Sequence, residues 1–120
     1  MTQSHSPFDP VRDAILAEAL KGAAFDGFTP LALERAANDA GQSKAELAAA
    51  FPGGSIDLLR WWSQRADEAA AAAAGERRDP PMKIREKVAA GVEARLAYLR
   101  PHKEAARRAA AFLALPPHAP

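Results

Sequence analysis

Thr29 to Phe51, TPLALERAANDAGQSKAELAAAF, is the stretch on which the fold turns. Thr29-Pro30 reads as an N-cap followed by proline at the first helical position, where its missing N–H costs nothing. Leu31, Leu33, Ala36, Ala37 and Ala40 then form a short helix that stops at Gly41, a residue free to turn left-handed. Ser43-Lys44-Ala45-Glu46 is a capping box, so a second helix opens two residues later and must end before Pro52. Two short helices around a glycine turn make a helix-turn-helix pattern, predicted as Pro30–Ala40 and Lys44–Ala50. Leu47 and Phe51 are expected to point back into a three-helix core.

Upstream, Asp9-Pro10 is a second cap-plus-proline signal. Val11, Ile15, Leu16, Ala19 and Leu20 share one helix face, and Gly22 is the predicted end. Phe25-Asp26-Gly27-Phe28 is then a short connection, and residues 1–8 form a polar tail. Downstream, Pro52-Gly53-Gly54 is a tight turn and Ser55 the predicted cap of a fourth helix. That helix carries Ile56, Leu58, Leu59, Trp61 and Trp62 and gives way to the alanine run Ala69 to Ala74. After a polar linker from Gly75 to Pro81, a fifth helix from Met82 to Leu99 sets Ile84, Val88, Val92, Leu96 and Leu99 on one stripe. Pro101 is placed to open a sixth, with Phe112, Leu113 and Leu115 near its end and Pro116-Pro117 stopping it. The fold class read from this pattern is all-α.

Composition agrees. Of 120 residues, 31 are alanine, the best helix former and a poor strand residue. The absence of cysteine excludes disulfides, thiolate zinc sites and thiol nucleophiles. No signal peptide or membrane-spanning run is visible, so the expected location is the cytoplasm. Sixteen basic against fifteen acidic residues give +1 overall, but the balance is uneven. Val11 to Ser63 holds five Lys/Arg and seven Asp/Glu, net −2; Gln64 to Pro120 holds eleven and seven, net +4.

The order of these pieces resembles the TetR-type regulator layout. Three blocks are closer to a different relative. They are Phe25-Asp26-Gly27-Phe28-Thr29 with Ala36-Ala37-Asn38-Asp39-Ala40-Gly41; Phe51-Pro52-Gly53-Gly54-Ser55-Ile56-Asp57-Leu58 with Trp62-Ser63 and Arg65-Ala66-Asp67; and Lys83-Ile84-Arg85-Glu86-Lys87-Val88 with Leu99, Pro101-His102-Lys103-Glu104-Ala105 and Leu113-Ala114-Leu115-Pro116. Together they are similar to the ubiquinone-biosynthesis accessory family of lipid-binding proteins, the ninth Coq protein and its bacterial relatives. The likeness runs from Val11 to Pro116. It implies a TetR-like fold in which residues 9–63 form a helix-turn-helix unit running into the fourth helix. Residues 64–120 would begin an incomplete ligand domain. It also implies a homodimer that binds isoprenoid lipid or a quinone precursor, presents it to a quinone hydroxylase, and makes peripheral contact with the inner membrane. Relatives continue with further helices, which line the lipid site and include an amphipathic membrane-contacting one, so their lipid-site residues are not carried over.

DNA reading requires long polar side chains at base edges and cations on phosphates. The helix beginning at Gln42, Ser43 and Lys44 continues with Ala45, Glu46, Ala48, Ala49 and Ala50 on an acidic segment. It is therefore read as a vestigial recognition helix, with a TetR-type operator-binding dimer as the alternative function. Trp61 and Trp62 lie about 100° apart on a helix. One is expected to anchor the fourth helix, and either is a candidate to line a lipid cavity. Lys83, Arg85, Lys87 and Arg95 beside the fifth helix's apolar stripe suit an anionic membrane or acidic partner, although interspersed glutamates also describe an ordinary solvated face. His5, His102 and His118 form no catalytic or metal-ligating spacing, and no enzyme motif is present. A non-catalytic protein without a cofactor is expected. Its few large apolar residues leave faces to be covered by a second copy or by lipid.

Overall fold

The computed structural model describes residues 6–114, and these are helical with no strand among them. The elements are α1 (Asp9–Asp26), α2 (Pro30–Asp39), α3 (Lys44–Ala50), α4 (Ser55–Ala74), α5 (Ile84–Leu99), a 3₁₀ turn (Arg100–His102) and α6 (Lys103–Ala114). His5, Leu115, Pro116, Pro117 and His118 lie outside the described residues.

The all-α expectation holds, and the hairpin forms as its caps dictate. Thr29 Oγ1 accepts the Ala32 N–H at 3.1 Å to open α2. Gly41 closes it at φ +76°. The Gln42 N–H then reaches the Ala37 carbonyl at 2.8 Å and the Gly41 N–H reaches Asn38 at 3.0 Å, a Schellman pair that satisfies two orphan carbonyls. The capping box is complete: Glu46 N–H donates to Ser43 Oγ at 3.1 Å, and Ser43 N–H donates to the Glu46 carboxylate at 2.9 Å.

Helix ends elsewhere differ from the sequence reading. α1 continues through Gly22 to Gly27, whose φ of +65° provides the stop. The extra turn buries Ala23 beside Ile15, Leu16 and Ala19, which outweighs glycine's modest helix penalty of about 1 kcal/mol. Phe25 consequently stands on the helix and is 86% exposed, while Phe28 after the turn is buried. Asp9 does not cap forward, because Phe8 holds the N-cap position. Its carboxylate instead takes the Ser6 N–H and Arg12. Of the α2 residues, Leu31 is exposed, and Leu33, Ala36 and Ala37 are buried. At α3 the core contacts come from Ala50 and Phe51, with Leu47 only half-buried. Ser55 is the first residue of α4 rather than its cap. The Asp57 carboxylate reaches back to the Gly53 N–H at 2.5 Å.

The chain divides into two compact units, Met1–Trp61 with Glu104–Pro120, and Trp62–Lys103. The division departs from the expected boundary after residue 63, since α6 belongs with α1 to α3. In the first unit Ile15 and Leu58 are fully buried, each contributing roughly 1.5–3 kcal/mol by leaving water. α6 buries Ala105 and Ala109, and Arg108 donates to the carbonyls of Ala24 and Phe25 at 3.1 and 3.4 Å. It thereby brings a cation from another helix to the C-terminus of α1, whose own last turn has none.

In the second unit the alanine run of α4 is helical to Ala74. α5 approaches it through Gly91, where an added Cβ would lie 3.3 Å from the Ala70 carbonyl oxygen. Arg95 pairs with Asp67 across the two helices. The apolar stripe of α5 is exposed: Ile84, Val88, Val92 and Leu96 are 82, 60, 53 and 54% exposed. Only Leu99 of that set is half-buried. Pro101 lies in the 3₁₀ turn, and α6 starts two residues later.

Candidate functional site

Four places carry the residues singled out above. The first is the α2–α3 face, a groove of about 330 Å³ lined by Glu34, Arg35, Ala37, Asn38, Gln42 and Lys44, with Ser43 and Leu47 completing it. The structure brings Gln42, Ser43 and Lys44 together here because the Gly41 turn folds α3 back across α2. The polar side-chain atoms of Ser43 and Lys44 are engaged internally. Ser43 Oγ caps α3, Glu46 returns to the Ser43 amide, and Lys44 Nζ lies 3.3 Å from the Glu34 carboxylate. Gln42 is half-buried and its Oε1 is turned out of solvent. The exposed positions that follow, Ala45, Ala48 and Ala49, present only methyl groups. An exposed ion pair such as Lys44–Glu34 is worth only about 0.2–1 kcal/mol, so what limits this face is its shortage of reaching side chains.

The second is a cleft of about 220 Å³ between α1 and α2, not foreseen from the sequence. Phe28 and Leu33 form part of its wall, and Glu18, Lys21, Asp26, Arg35 and Asp39 carry its charge. Lys21 donates to Glu18 at 2.8 Å, which raises the ammonium above its ordinary value of 10.5, and Asp39 adds a smaller effect in the same direction. The available signal was the Glu18–Lys21 spacing of three, but a surface pair at that spacing is common on any helix.

The third is the tryptophan pair, and the two rings belong to different units. Trp61 is buried in the first, its indole N–H donating to Asp13 Oδ1 at 2.9 Å with the Arg12 guanidinium 5.4 Å over the ring. Arg12 is itself held by the Ala50 carbonyl at 3.0 Å and by Asp9. Trp62 is buried in the second unit, where the His102 ring meets it edge-on at 6.3 Å.

The fourth is the exposed face of α5 described above. No group of three or more His, Cys, Asp or Glu side chains is placed to hold a metal ion among the described residues, and no helix there is long and apolar enough to cross a membrane. No family model matches the chain, and neither a curated protein nor a solved structure matches it.

Proposed function

We propose that this chain is a non-catalytic accessory protein of ubiquinone biosynthesis with a TetR-like arrangement. It binds an isoprenoid lipid or quinone precursor as a homodimer and presents it to a quinone hydroxylase at the inner membrane. The observation that carries the proposal is the state of the α2–α3 hairpin. Its turn and caps are intact, while the face that a regulator would lay in the major groove offers alanine methyls and internally bonded polar groups. The three sequence blocks similar to the accessory family support the same reading, as does a large apolar surface left outward on α5.

The preserved hairpin geometry favours one competing reading, an operator-binding regulator. Two titrations of the purified chain separate the two. A short-chain isoprenoid quinone should saturate and quench tryptophan emission, and random duplex DNA at low salt should give no micromolar binding. Micromolar duplex binding that weakens steeply with salt transfers the assignment to the regulator. Absence of quinone binding overturns the accessory reading.

A further inference from the structure

The connection between α4 and α5 is the longest among the described residues. Gly75 to Lys83 spans nine residues, whereas the turns at 27–29, 40–43 and 51–54 hold three or four each and contain no Lys or Arg. Of the sixteen Lys/Arg in the chain, twelve lie within α-helices, and Arg100 precedes a proline in the 3₁₀ turn. The other three, Arg77, Arg78 and Lys83, are in this connection. Lys83 is held, since its N–H donates to the Glu86 carboxylate at 3.0 Å and its carbonyl accepts from the Glu86 and Lys87 amides, each at 3.0 Å. Arg77 and Arg78 are exposed, as is every residue from Gly75 to Pro81. Among the described residues, no backbone–backbone hydrogen bond reaches the segment from Arg77 to Met82. The flanks are lightly packed as well: nothing in α4 beyond Ala66 is buried, and nothing in the first turn of α5.

We propose that the Arg77–Arg78 pair is a processing site for an endopeptidase whose acidic pocket takes a basic side chain, and that the nicked chain stays assembled. Water adds across the peptide bond that follows Arg77 or Arg78. The C–N bond breaks, the hydroxyl goes to the arginine carbonyl carbon, and the proton goes to the departing amide nitrogen. A protease must draw an extended segment into its cleft, which a helix forbids until it unwinds. The linker already lacks helical hydrogen bonds, so presenting it costs little. The bond after Arg100 is barred because its nitrogen is the ring nitrogen of Pro101. Assembly survives because the piece downstream of the cut keeps its own ties. Met82, 8% exposed, pins its start. α5 sits against α4 at Gly91 and through Arg95–Asp67, and Arg108 anchors α6 on the carbonyls ending α1. The site stands whatever cargo the protein carries, so it goes beyond the accessory reading.

The test is limited digestion of the whole folded chain with a small amount of trypsin, followed by mass spectrometry. The first cut is expected after Arg77 or Arg78, giving 1–77 or 1–78 and the complementary piece. R77Q/R78Q should keep the circular dichroism of the parent, because both side chains are exposed. It should also lengthen the half-life of the intact chain at least about tenfold, since cleavage then waits for a helix or its cap to open. The nicked parent should elute from gel filtration as one particle with the helix content of the intact chain, and its pieces should part only in denaturant. A first cut after Lys83 or inside a helix overturns the proposal, as does an unchanged half-life in R77Q/R78Q. Pieces that separate in native buffer overturn the retained assembly. Quinone titration is scored separately, so either idea can fail without the other.

Discussion

Gly41 shows how a single residue enforces the hairpin. Nothing lies within 4 Å of where its Cβ would be, yet its φ is +76°. The obstacle to a side chain is therefore backbone conformation alone. Gly41→Ala is expected to lower stability by about 1 kcal/mol, read as a shift of the urea midpoint with unchanged slope. An unshifted midpoint would mean that the Schellman bonds from Gln42 and Gly41 can form without left-handed backbone. Gly91 poses the opposite case: its conformation is ordinary, and the 3.3 Å approach of the Ala70 carbonyl is what excludes a larger group. Sequence inspection marks Gly41, because a glycine between two capped helices has a local role. Gly91 sits mid-helix, and its role depends on Ala70, 21 positions earlier.

At the scale of elements, α6 is tied to α1 by one side chain. Arg108 supplies the donors and the positive charge that the carbonyl end of α1 lacks. Arg108→Met keeps much of the apolar stem and removes the guanidinium. It should cost about 0.5–1 kcal/mol and speed amide exchange along Lys103–Ala114, while leaving exchange in Ile84–Leu99 as it was. Unchanged protection in α6 would show that Ala105 and Ala109 suffice to dock it. This link was invisible in the sequence, where Arg107 and Arg108 look like an exposed basic pair. The hairpin elements, by contrast, were legible down to their caps, since every bond in them joins residues within five positions of one another.

For the molecule as a whole, the two units each possess their own tryptophan. Asp13→Ala, made in a Trp62→Phe background, should change the emission of Trp61 and cost about 1 kcal/mol. Unchanged Trp61 emission would show that the Asp13 bond does not set that ring's surroundings. At this scale the candidate site was only partly readable. Gln42, Ser43 and Lys44 are consecutive and lie beside the Gly41 turn that the sequence marks, whereas the outward face of α5 and the cleft between α1 and α2 required knowledge of which faces pack.

The amino-acid sequence alone determined the helical class, the α2–turn–α3 hairpin and its Thr29 and Ser43–Glu46 caps, because capping joins a side chain to a backbone amide three positions away. Only the tertiary structure decided that α1 passes through Gly22, that α5 buries Gly91 and leaves its aliphatic stripe outward, and that α6 belongs with the first unit. A helix face is buried according to what its partner can accommodate. Ala70 admits the bare backbone at Gly91 more closely than it would admit a branched side chain, and no periodicity within α5 carries that information.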